Sequence, residues 1–492
     1  MTSTPPAPEQ DTREARRDRA FFGQPLALTN LFGVEMWERF SFYGMQGILL
    51  IYLYYQTTDG GLGISEHTAT GIVGAYGGMV YISTIVGGWI ADRVLGGERT
   101  LFYSAILVMG GHIALSVLPG LLGVGVGLVL VAFGSGGVKA TATSLVGDLY
   151  DEHDERRDAG FSLFYMGINI GGLVGPLLTG LLRDNAGFHW GFGLAAIGMA
   201  LGLIQYTVFR RNLHGVGARP SDPLSRNQRL AYAGGAVAVI VIVAVLSVTG
   251  VVTADRLSDI VVGIAAAATL LYFLVILTSR QVTHVERRRV IAFMPMFIAS
   301  VVFWSLFQQI FTVLTIYSDK RLDRNLFGWE FPVSWVQSIE PVWVVVGAGA
   351  FAAMWTKMGD RQPATPIKFA LGTGGMGVAF LLFLLMPAGQ NTAPVWGLVL
   401  ILGVFATSEL MLSPVGLSLA TKLAPRAFHT QMVALFFLSV ALGTALSGTL
   451  ARYYDEDNEA PYFATLGLVA VAVGMVLAVA SPGIKKLMSG VK

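Results

Sequence analysis

Long apolar runs alternate with short polar connections along almost the whole chain. At a helical rise of about 1.5 Å per residue, about twenty apolar residues cross the hydrocarbon core of a bilayer, so each run predicts a membrane-spanning helix. The first extends from about Ala27 to Tyr55; others cover about 68–91, 101–119, 122–149 and 159–182, and a sixth ends near Phe209. A Pro/Gly/Arg linker from Arg210 to Arg229 leads to two runs at about 230–252 and 259–279, joined by the tight turn Thr253–Arg256. The apolar interiors of this pair carry nothing that looks fit for a site, and it reads as an inserted hairpin with a packing or insertion role. After a basic loop from Arg280 to Arg289 come runs at about 290–316, 332–356, 367–387, 394–421, 430–451 and 461–481. The pattern predicts an all-α polytopic membrane protein with fourteen spans, so that both termini share one side.

Composition agrees: mean hydropathy is +0.62 and only 13% of residues are charged, far from a soluble protein. The 60 glycines suit helices that approach closely in lipid, as in Gly123–Gly127. There are no cysteines, which excludes disulfides and thiol chemistry. The polar first segment with Arg13, Arg16, Arg17 and Arg19 does not resemble a cleavable signal peptide. Lys and Arg number about 25 on the side of the termini and about 6 on the other, which predicts both termini in the cytoplasm. The expected location is the inner (plasma) membrane. Net charge is only +2, and topology explains the basic clusters without nucleic acid.

A faint repeat supports two halves. Ala91-Asp92-Arg93 is echoed by Gly359-Asp360-Arg361, each followed by a basic residue, Arg99 and Lys368. The expected organisation is a tail at 1–24, a six-helix bundle at 25–210, a linker with the extra hairpin at 211–288, a second bundle at 289–482 and a tail at 483–492.

Against this apolar background a few polar residues stand out. Glu35, Glu38 and Arg39 fall at i, i+3 and i+4 of the first span and face one side of it. A charge near the bilayer centre costs several kcal/mol unless it is paired or lines a wet cavity. Either Arg39 pairs with Glu35 and locks the bundle, or the three build a site for a proton or polar solute. Lys139, Asn169, Gln308, Glu340 and Glu409 lie within about one or two helical turns of the midplane in other spans. Two cations and four carboxylates at one depth are expected to converge on a central aqueous cavity. Asn169 either joins them or bonds a neighbouring helix, and Tyr43, Tyr81 and Tyr165 either line the cavity or pack. His112, on an otherwise apolar span, is expected to be a satisfied packing residue.

These motifs resemble the proton-dependent oligopeptide transporter family of the major facilitator superfamily. Glu35–Tyr43 is similar to its Glu-x-x-Glu-Arg-Phe-x-Tyr-Tyr motif, with Phe42 in place of the first Tyr. Gly87–Arg93, Phe161–Gly171 and Ser408–Gly416 resemble three further signatures, and bacterial members carry a similar hairpin. The resemblance implies a major facilitator fold and import of di- and tripeptides together with protons. It implies that Arg39 and Lys139 hold the peptide carboxylate, that Glu35 and Glu38 take part in proton binding, and that Asn169 and Glu409 hold the amine. Tyr43, Tyr81 and Trp304 would line the cavity and side-chain pockets. No cofactor beyond the coupling proton and no metal is expected; the partners are peptides, protons and membrane lipids, with function as a monomer.

Two departures change the picture. The family usually has Glu where Gln308 stands, and Asn-Pro where this chain has Glu340-Pro341. Three readings follow: Glu340 takes over the lost charge, pairing with Lys139 or carrying the proton; Glu340 joins Glu409 at the amine end; or coupling is weakened. Outside peptide import, the candidates are another carboxylated or peptide-like solute and a peptide sensor. A drug exporter fits the two cations poorly, and no nucleophile–base pair or metal cluster suggests an enzyme.

Overall fold

The computed structural model describes residues 21–150, 154 and 156–490. The expected tail at 1–24 lies almost wholly outside them, as do parts of the charged connection 150–158 and the last two residues of the C-terminal tail.

The N-terminal half contains α1 (Leu26–Tyr54), α2 (Glu66–Ile90), α3 (Gly97–Val117), α4 (Gly120–Gly147), α5 (Arg157–Ala186) and α6 (Phe188–Phe209). The hairpin is α7 (Arg226–Val248) and α8 (Leu257–Thr278). The C-terminal half begins with α9 (His284–Phe307) and its short continuation α10 (Val313–Lys320). It continues with α11 (Ile339–Met358), α12 (Thr365–Leu382), α13 (Val395–Leu423), α14 (His429–Ala451) and α15 (Ala460–Leu487). Among the described residues, thirteen helical segments are long and apolar enough to cross a membrane. α1 is the fourteenth: its 29 residues are long enough, and Glu35, Glu38 and Arg39 lie within it.

One predicted span is not continuous. α9 stops at Phe307, a 3-10 turn covers Gln308–Phe311, and α10 resumes after Thr312, whose φ/ψ of −122°/−99° is far from helical. Side chains repair the broken ladder: Gln309 Nε2 donates to the carbonyls of Ser305 (3.2 Å) and Ser447 (3.3 Å), and Thr312 Oγ1 donates to Gln309 Oε1 at 2.9 Å. Irregular backbone at membrane depth is tolerated only where it is buried in protein or lines a cavity.

Within the N-terminal half α1 packs on α5 and α6, and α3 on α4; within the C-terminal half α12 packs on α15. The α1–α5 contact is close because a methyl group at Gly171 would overlap the carbonyl of Met36. Between the halves α2 crosses α14, where a Cβ on Gly74 would lie 2.5 Å from Gly448 Cα.

The halves are tied at the end that the Lys/Arg bias assigns to the outside. Tyr54 and Tyr55 donate to Asp319 at 2.6 and 2.7 Å, and Lys320 pairs with Glu66 and Glu456. Ser334, Trp335 and Ser338, around the 3-10 turn Val333–Ser338, donate to the α5 carbonyls of Pro176, Leu177 and Leu173. The hairpin adds a staple at the same end. Arg452, at the end of α14, reaches Asp259 (2.7 Å), Ser258 Oγ (2.6 Å) and the Asp255 carbonyl (2.6 Å), while Thr68 of α2 bonds Asp255. α8 therefore leans on both halves, whereas α7 has no buried residue and sets its Tyr232 ring against Trp89 at 4.9 Å.

His112 departs from expectation. It is fully buried, but among the described residues neither ring nitrogen has a hydrogen-bond partner, so it packs without being satisfied.

Candidate functional site

α1 carries the first pole of the site. Glu35, Glu38 and Arg39 are 3%, 0% and 4% exposed. Arg39 Nε lies 2.7 Å from Glu38 Oε2 and 3.1 Å from Glu35 Oε1, so one guanidinium sits between two carboxylates. Ser135 of α4 donates to Glu38 Oε1. The pairing leaves groups over: among the described residues, Arg39 Nη2 and Glu35 Oε2 are buried without hydrogen-bond partners. A buried unused guanidinium N–H is a donor waiting for an acceptor, and a carboxylate is its best geometric match.

Lys139 stands one turn beyond Ser135 on the same face of α4. Its Nζ lies 4.1 Å from the Tyr81 ring centroid, a cation–π contact, and among the described residues it makes no ion pair. Tyr43 stacks on Phe311 with ring centroids 6.1 Å apart. Because Phe311 belongs to the broken span, this contact crosses between the halves. Gln308 is buried in that same turn.

The second pole comes from the C-terminal half. Glu340 lies in the first turn of α11, where Pro341 costs no backbone hydrogen bond because the first N–H groups have no helical partner. Its carboxyl is buried and within hydrogen-bonding reach of Glu409 on α13. Lys139 is close enough to act electrostatically on Glu409. Tyr43 is in electrostatic range of both sets, Arg39 and Tyr81 as well as Glu340 and Glu409. Tyr165 also adjoins Glu340, Glu409 and Tyr43.

Asn169 is less committed. Its Nδ2 donates to the carbonyl of Tyr165, one turn back on α5, at 2.8 Å. Trp304 is 6% exposed and packs against Phe303, Phe307 and Gly443, so it backs the site more than it faces it; its Nε1 has no partner. Two contributors were not singled out from sequence. Ser135 shares the face of Lys139 four residues earlier, which was the available signal. Phe311 had none, because nothing in the sequence marks the helix break.

A model of the POT family matches residues 98–477. The chain is 43% identical to the uncharacterized transporter YclF of Bacillus subtilis (strain 168), over 96% of this chain and 97% of that protein. It is 37% identical to a di-/tripeptide transporter of Lactococcus lactis subsp. cremoris, over 97% and 99% respectively. Among solved structures, the peptide transporter POT in complex with sulfate superposes with a TM-score of 0.93 at 42% identity, over 98% of this chain and 100% of that one. A POT family transporter in complex with 5-aminolevulinic acid gives a TM-score of 0.90 at 40% identity, over 95% and 98%. The two-halved helical fold, the matched segment and relatives alike along nearly their full length lead to one conclusion: this chain belongs to the POT family, within the major facilitator fold.

Proposed function

We propose that the chain is a proton-coupled symporter that imports di- and tripeptides by alternating access. The observation that carries this reading is the facing of two opposite poles across one polar set. Arg39, with its free Nη2, and Lys139 come from the N-terminal half; Glu340 and Glu409 come from the C-terminal half. A short peptide is a zwitterion with its charges several ångströms apart, and such poles match it end to end. Arg39 and Lys139 hold the carboxylate; Glu409, with Asn169 and Glu340, holds the amine. Tyr43, Tyr81, Gln308 and Trp304 form the walls, which must adapt to varied side chains.

Glu35 and Glu38 are the proton acceptors next to Arg39, and Glu340 contributes to coupling from the other half. The position of Glu340 beside Glu409 supports the reading in which it joins the amine end, more than direct pairing with Lys139. A peptide bridging the poles draws the halves together and shifts the balance between the two access states. The ties at the outer end, centred on Asp319 and Lys320, are the contacts that must break for the site to open outward. One proton entering down about 100 mV and half a pH unit releases roughly 3 kcal/mol, enough for about a hundredfold peptide gradient. The reading places the chain in the plasma membrane as a monomer with cytoplasmic termini, and needs no coupling species beyond the proton.

A second reading has one supporting observation: a 40% identical relative was crystallised with 5-aminolevulinic acid, which carries an amine and a carboxylate without a peptide bond. The test is uptake of labelled dialanine into proteoliposomes under an inward proton gradient, with and without a protonophore. Accumulation above equilibrium that the protonophore abolishes is the expected result. Equilibration alone overturns the coupling, and absence of uptake leaves the second reading in its place.

A further inference from the structure

The amine pole of this chain has two carboxyls where the family pattern it resembles has a carboxyl and an amide. Glu340 and Glu409 are within hydrogen-bonding reach of each other, and two carboxylates so placed cannot both stay ionised without a cation between or beside them. Lys139 acts on Glu409 but stays on the Tyr81 ring and does not reach Glu340, so a proton shared between the carboxyls is what relieves the empty pair and leaves it a charge of −1. Glu340 is only 9% exposed, so the two carboxyls meet away from bulk solvent. Lys139 is turned onto the face of Tyr81 and is not ion-paired to Glu340.

A single ammonium, with three donors, matches a pair that keeps its proton. A ligand with two cations close together matches the pair better once that proton has left for solvent, since each carboxylate then has its own countercharge. We propose that Glu340 and Glu409 form a two-carboxyl subsite selecting peptides whose N-terminal residue carries a second cation, such as a lysyl or ornithyl side chain, which takes the place of the shared proton. The inference rests on the reading above that this pole holds the peptide amine. Peptides with the cation at the C-terminal residue gain nothing, because that end faces Arg39 and Lys139.

The test is binding to the purified full-length protein, with dialanine, lysyl-alanine and alanyl-lysine as probes, followed by intrinsic fluorescence. The wild type is expected to bind lysyl-alanine at least tenfold more tightly than dialanine, and alanyl-lysine no more tightly than dialanine. In E340Q the lysyl-alanine preference falls toward unity; E340N serves if E340Q does not purify as a folded protein. In weakly buffered solution, lysyl-alanine also releases about one proton more per site than dialanine. No preference in the wild type, or a preference that survives both substitutions, overturns the proposal. Loss of transport in proteoliposomes with the binding preference intact would instead sink the symport reading alone.

Discussion

On α1, Arg39 is held between Glu35 and Glu38, and Glu38 is fixed by Ser135; on the C-terminal side, Glu340 and Glu409 meet each other and, among the described residues, make no ion pair. Both poles bury carboxyls, but the first brings its countercharge on the same helix while the second does not. The first pole already holds one cation between its two carboxyls before any substrate arrives, and what it leaves unpaired among the described residues is the Arg39 Nη2 amino group and Glu35 Oε2. The second carries unbalanced negative charge that only a proton, a distant lysine or a ligand can relieve. A transporter site built this way is not two mirror-image clamps. One pole is a fixed template, and the other changes its charge with its occupant.

Removing the template should have the largest effect. R39A leaves Glu35 and Glu38 buried without their cation, and breaking a buried pair in this way costs about 3–5 kcal/mol. Saturable dialanine uptake is expected to fall at least a hundredfold, with lowered thermal stability of the purified protein. R39K, which keeps charge but loses the planar fork, is expected to recover stability more than uptake. Equal loss of both in R39K would mean that Arg39 acts only as a lock.

The second pole should break differently. E409Q removes the carboxyl that Lys139 senses and that Glu340 meets, so uptake is expected to fall about thirtyfold while thermal stability holds or rises, because a crowded buried charge has gone. A fall in stability comparable to that of R39A would erase the distinction between the poles.

Much of this was legible in the sequence, and the exceptions have physical causes. Helix number and order follow from the apolar runs, and even α1 stood out because three charges in one run demand a partner. The family motifs on α1, α5 and α13 pointed to Glu35, Glu38, Arg39, Asn169 and Glu409. The break at Gln308–Thr312 was hidden, since no Gly or Pro punctuates Gln308-Gln309-Ile310-Phe311-Thr312 and its repair relies partly on the Ser447 carbonyl, 138 residues away. The meeting of Glu340 with Glu409 was equally unreadable, because it depends on how α11 and α13 are rotated. The hairpin gave only its hydropathy; that Asp255 and Asp259 staple it to Arg452 and Thr68 at the mouth of the bundle is a tertiary fact.

A smaller change sharpens the comparison from within the first pole. S135A removes the hydroxyl that fixes Glu38, and a hydrogen bond to a charged group contributes about 1.5–3 kcal/mol. Loosening Glu38 beside Arg39 is expected to lower saturable dialanine uptake about tenfold without the loss of thermal stability expected for R39A. Unchanged uptake would assign Ser135 to packing.

The least effect is expected where the poles meet. Lys139 is held by the face of the Tyr81 ring at 4.1 Å, and exposed-to-buried cation–π contacts contribute about 0.5–2 kcal/mol. Y81F keeps the face and loses only the hydroxyl; Y81L loses the face. If the ring parks Lys139 clear of Glu340 and Glu409, Y81L should free the ammonium to move toward the carboxyls. Its positive charge would then compete with a substrate cation, so lysyl-alanine affinity is expected to drop about fivefold in Y81L, more than dialanine affinity, and less in Y81F. A larger loss in Y81F than in Y81L would mean that the hydroxyl, and not the ring, is what the site uses. The charge of the second pole would then be set by Glu340 and Glu409 alone, with Lys139 serving only the carboxylate end.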